Sequence, residues 1–74
     1  MVKKVNGEDA FQVMAHSFSV YSESAFTLAY SADGEHYTSY EDETPAGENL
    51  IVNGVGKGMY FKLMGNSSEA TINY

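Results

Sequence analysis

The sequence predicts an all-β fold, a small antiparallel β-sandwich or jelly-roll-like domain of six to seven short strands. Three observations carry this. Apolar residues alternate with polar ones at period two almost throughout, rather than recurring three and four residues apart as on a helix. Gly, Asn, Asp and Ser interrupt the chain every ~8–12 residues, the spacing of short strands joined by turns. No strand–helix alternation of the kind that builds a parallel sheet competes with this pattern.

Taken in order, residues 1–5 are read as an extended docking arm or an edge strand, the two lysines Lys3 and Lys4 being suited to adding onto another chain's sheet. Residues 10–14 form a short strand or a single helical turn. Residues 15–22 alternate with Phe18 and Val20 on one face, and Ser22-Glu23-Ser24 supplies a turn. Residues 26–31 and 36–40 flank Ala32-Asp33-Gly34-Glu35, whose Asp-Gly step offers the positive φ of a tight hairpin turn. Residues 41–49 hold the one proline and three consecutive acids, and read as a solvated loop. Leu50-Ile51-Val52 is a short strand stopped by Asn53-Gly54. Met59, Phe61 and Leu63 share the core face of the strand at residues 59–64, and Ala70, Ile72 and Tyr74 that of residues 69–74. With Gly65-Asn66-Ser67-Ser68 between them, these last two segments are expected to pair as a hairpin.

With 74 residues there is room for one domain, 1–74, and a domain this short buries only about 60–65% of the surface its unfolded chain exposes. There is no Cys, so stability must come from packing or from burial against another chain. The same absence fits a reducing compartment, or a protein assembled in a cytoplasm and later carried outside. Ten Asp and Glu against four Lys and Arg give a net charge of −6, which repels phosphates and anionic lipid headgroups, so neither nucleic acid nor membrane is an expected partner. The start turns polar before an apolar run develops, and nowhere do 18 apolar residues follow one another, so a soluble chain is expected.

Chemistry-bearing patterns are sparse. Asp33-Gly34-Glu35-His36 places carboxylates beside an imidazole, yet a turn splays successive side chains and a closed metal site needs three or four converging ligands, so the turn reading is preferred. Glu41-Asp42-Glu43 with Glu48 lacks the spaced pattern of a calcium loop, and reads as a solvated acidic run able to steer a basic surface. Neither His16 nor His36 has a nucleophile-elbow serine nearby, and Gly54-Val55-Gly56-Lys57-Gly58 lacks P-loop spacing and reads as a backbone turn. The chain is therefore expected not to be an enzyme, and no cofactor or metal is expected. Six tyrosines form the one compositional excess with functional flavour, because Tyr gives large amphipathic contact area at low entropy cost. They either finish a small core, anchor a protein interface or stack on sugar rings. The candidate partner-binding residues are Lys3, Lys4, Tyr37, Tyr40 and Tyr60, the last three being the candidate sugar-stacking set.

The S-x-D-G-x-x-Y hairpin at residues 31–37, the acidic x-P-x-G loop, and the Y-F-K-L-x-G-N strand at residues 60–66 together resemble small tailed-bacteriophage virion proteins, over residues 26–74. The hairpin is also similar to the S-x-D-G-x-x-W hairpin of discoidin-like carbohydrate- and lipid-binding sandwiches, whose tryptophan and extra strands this chain lacks. The phage resemblance implies a non-enzymatic decoration, auxiliary capsid or fibre-associated protein. Such a protein would be assembled in the host cytoplasm, located in the virion, bound to the major capsid or another virion protein, and oligomeric or lattice-bound. The alternative is a glycan-binding module.

Overall fold

In a computed structural model, residues 1–52 and 57–74 are described, and they form eight antiparallel strands with no helix. The strands are β1 (Val2–Asn6), β2 (Phe11–Val13), β3 (Ser17–Ser22), β4 (Thr27–Ser31), β5 (Thr38–Ser39), β6 (Gly47–Val52), β7 (Met59–Met64) and β8 (Glu69–Asn73). One sheet has the order β1-β8-β3-β6 and the other β2-β7-β4-β5. The pairs β1·β8, β2·β7, β3·β6 and β4·β5 are those of one long hairpin, and winding it adds the contacts β3·β8 and β4·β7. That is the jelly-roll arrangement of a sandwich.

Between the sheets lies one core: Val5, Phe18, Val20, Ala70 and Ile72 from the first sheet and Phe11, Val13, Leu28, Phe61 and Leu63 from the second, with Phe26. Phe61 is fully buried, its ring 4.8 Å from that of Phe18 across the sandwich and 5.8 Å from that of Phe11 beside it. Each of these residues sits at an inward position of the alternation, so period two accounts for the core.

Several expectations need correction. The strand count is eight, not six to seven, because residues 10–14 contribute a strand rather than a helical turn and residues 2–5 belong to the first sheet. At the N-terminus, β1 is the edge strand of the first sheet and pairs along its length with β8. The segments at 59–64 and 69–74 are not a hairpin: they lie in opposite sheets and face each other through the core. Alternation fixes which face of a strand is buried but not which strand is its neighbour. The strand expected at residues 36–40 shrinks to Thr38–Ser39, and the tight turn before it is a six-residue loop. There the Ser31 and Asp33 side chains take the backbone N–H groups of residues 33–36, satisfying donors that a longer ladder would have used. The acidic loop ends at Gly47, where β6 already begins. Of the glycine-rich turn, Lys57 and Gly58 form a turn as expected, and residues 53–56 lie outside the described residues.

Candidate functional site

The two open sides of the sandwich differ. On one, β1 and β2 are strapped together: the Lys3 ammonium donates to the Gln12 carbonyl at 2.9 Å and stands 5.3 Å from the centre of the Tyr74 ring. Lys4 points to the outer face and pairs with Glu69 at 3.4 Å. On the other side, β5 and β6 are the edge strands, and the chain crossing between them leaves a cleft of about 520 Å³ lined by Leu28, Tyr40, Glu41, Asp42, Thr44 and Ile51.

Local bonding shapes this cleft. Tyr40 N–H donates to the Leu28 carbonyl, and Phe26 and Thr44 exchange both backbone bonds, at 3.0 and 2.7 Å. The crossing segment is thus pinned at one end to β4 and at the other to the residue that precedes that strand. The Tyr40 ring rests against the Tyr30 ring at 5.1 Å while remaining 42% exposed. Leu28 and Ile51 give an apolar floor, and Glu41 and Asp42 put negative charge on the rim. An apolar floor with a few polar groups at its edge is the general form of a recognition site.

Tyr37 and Tyr60 lie elsewhere. The Tyr37 ring is 4.4 Å from the Lys62 ammonium, and Lys62 and Tyr60 project from the outer face of the second sheet, opposite to Phe61. Gly34, at φ 79°, lies against the Tyr60 ring, which a Cβ there would meet at 3.5 Å. The Tyr37 hydroxyl is shut from solvent without a hydrogen-bond partner among the described residues, and its pKa is pushed up by burial, then by Asp33 and Tyr60. The three tyrosines therefore form no single platform. Tyr40 faces the cleft, Tyr37 and Tyr60 share the opposite face of that sheet, and Lys3 and Lys4 lie on the far edge of the molecule.

No protein-family model, curated protein or solved structure matches the chain.

Asp33, Glu35 and His36 are the one group of three or more His, Asp or Glu side chains that converge among the described residues, within 4.8 Å. Its chemistry is that of a loop cap. Asp33 Oδ1 accepts from Ser31 Oγ, Glu35 N and His36 N at 2.8–2.9 Å, and Oδ2 meets His36 Nδ1 at 2.8 Å. The hydrogen bonds from His36, backbone and side chain, hold the Asp33 carboxyl well below its usual range, and Asp33 in turn raises His36 above 6.5. The signs define a window. Asp33 contributes stability above its ordinary 3.8, lost as pH falls through its lowered value; His36 contributes below 6.5, lost as pH rises through its raised value. In Asp33→Asn the His36 titration midpoint, followed by NMR of the ring protons, is expected to fall back toward 6.5. An unchanged midpoint would show that the pairing does not exist in solution.

The acids of residues 41–43 divide from Glu48, which projects outward from β6. Leu28, Thr44 and Ile51 were not legible as site residues. Each follows an ordinary strand or loop pattern, and only the meeting of β4, β6 and the crossing segment sets them around one space.

Proposed function

We propose that the chain is a non-enzymatic docking domain of a tailed-phage virion, seating on a capsid or other virion protein through the Tyr40 cleft. The observation that carries the docking part is the cleft itself, in which an exposed aromatic ring and an apolar floor stand beside Glu41 and Asp42. Those acids suit a basic, partly apolar segment of the partner. The virion assignment rests on the sequence resemblance. Jelly rolls serve in both viral capsids and lectins, so the fold is compatible with this reading without selecting it. A domain of 74 residues with no disulfide gains stability by mass action when a lattice binds its folded form.

Glycan binding is the second reading, and the same cleft favours it, since a Tyr face stacks on a sugar ring and carboxylates accept from its hydroxyls. Quantitative mass spectrometry of purified particles separates the two. The chain is expected at a fixed copy number, and Tyr40→Ala, at an exposed position, is expected to fall at least tenfold in occupancy while keeping the wild-type melting temperature. Absence from particles together with binding on a glycan array would decide for the second reading, and wild-type occupancy of Tyr40→Ala would remove the cleft from the docking role.

A further inference from the structure

The first sheet ends in two open edges, β1 and β6, and their properties match one another. Tyr74 N donates to the Met1 carbonyl and Gly7 N to the Ser68 carbonyl, so the odd-numbered residues of β1 bond to β8 and the N–H and C=O groups of Val2 and Lys4 point to the free edge. Carrying this alternation across the sheet, Ile72 and Ala70 bond to β1, Asn73 and Thr71 to Ser19 and Tyr21, and Phe18, Val20 and Ser22 to Ile51, Asn49 and Gly47. The free backbone groups of β6 are therefore those of Glu48 and Leu50.

The side chains agree with the backbone. Val5 and Ile51 point inward, so Val2 and Lys4 on β1, and Glu48 and Leu50 on β6, stand on the same outer face. Val2 is 61% and Leu50 72% exposed, two large apolar side chains left in solvent on open edges. Successive strands of this sheet are all antiparallel, so β1 and β6 run in opposite directions. A second copy continuing the sheet past β6 thus presents its β1 antiparallel to β6 with the same outer face.

We infer that β1 of one copy adds to β6 of the next, with Val2 opposite Leu50 and Lys4 opposite Glu48. In this register both pairs are hydrogen-bonded pairs of the new ladder, one apolar and one of opposite charge. Shifting it by two residues either way keeps the backbone match but sets Val2 against Glu48 or Lys4 against Leu50. An edge lysine commonly serves to prevent strand addition; a glutamate at the matching position of the opposite edge makes it selective instead. A β6-to-β6 contact would gather the acids of both copies, and a β1-to-β1 contact the lysines. The contact is heterologous, so it closes into a ring or grows into a filament according to the rotation per step.

Sedimentation velocity over a concentration series up to about 1 mM tests this. The wild type is expected to rise above the 8.1 kDa monomer with concentration. Lys4→Glu and Glu48→Lys, each at an exposed position, are each expected to weaken association at least tenfold with unchanged circular dichroism. The double variant, and an equimolar mixture of the two singles, are expected to restore it. A wild type that stays monomeric overturns the inference, as does Glu48→Lys associating like wild type, the result a β1-to-β1 dimer would give. The inference is separate from the Tyr40 cleft, so either can fail while the other stands.

Discussion

Replacing Phe61 by Ala is expected to cost the fold a large share of its stability at 25 °C. The side chain has no exposed surface and packs on the Phe18 and Phe11 rings, so truncation removes the closest ring contact across the sandwich, leaves only the Phe11–Phe18 contact at 5.9 Å among the three rings, and opens a cavity in the core. Such a change costs about 3–5 kcal/mol in a packed core. A domain of this length has roughly 4–11 kcal/mol in total, with no disulfide to limit the unfolded chain. The loss is thus between about a quarter and all of what is available. Urea unfolding followed by circular dichroism is the measurement. As a reference, Tyr21→Ala, on the outer face and 50% exposed, should change stability by no more than about 0.5 kcal/mol. Equal midpoints for the two variants would mean that the core is not organised around the three phenylalanines.

The contrast between those two aromatic residues shows what the chain makes legible. Phe61 lies in a run, Met59–Met64, whose alternation identifies its buried face without further information. The same holds for Phe18 and Ile72. Topology is different, because the energy that selects β8 as the neighbour of β1 and β3, rather than of β7, comes from closing both sheets over one core. That choice depends on all eight strands at once, and no pair of segments displays it. The cleft inherits this difficulty. Tyr40 could be singled out for its type, but Leu28 and Ile51 join it only because β4 and β6, from different sheets, each turn one side chain to the same space. Tyr37, Tyr40 and Tyr60 read alike along the chain, yet Tyr37 and Tyr40 flank β5 and turn to opposite faces of its sheet, Tyr37 to Lys62 and Tyr40 to Tyr30.

Asn66, which reads as an ordinary loop residue, is expected to be the most costly polar position. It is 4% exposed and sits where the connections 7–10, 23–26 and 65–68 meet. Its Oδ1 faces the hydroxyls of Ser22, Ser24 and Ser68 at 3.1, 3.0 and 3.4 Å, and its Nδ2 donates to the carbonyls of Gly7 and Ser68 at 3.1 and 2.8 Å. One amide therefore supplies both an acceptor and two donors to three chain segments. Among the described residues, only the bond from Gly7 N to Ser68 and the Phe26–Thr44 bridge extend strand-type pairing into those segments. Asn66→Ala removes every one of these bonds and leaves the buried Ser22 hydroxyl with Ser24 alone, donating to its carbonyl at 2.9 Å and accepting from its N–H at 3.3 Å. The Gly7 and Ser68 carbonyls lose a donor each. Buried groups deprived of a partner cost about 1–3 kcal/mol apiece, and partial rehydration of this end limits the expected total to about 2–3 kcal/mol. Asn66→Asp separates hydrogen bonding from packing, since it keeps the volume and one acceptor while turning a negative oxygen toward two carbonyls. At pH 7 it should cost at least as much as Ala. If instead Asp melts like the wild type, the amide protons contribute nothing, and the corner is held by Glu8, whose carboxylate accepts from Gly65 N–H at 2.6 Å.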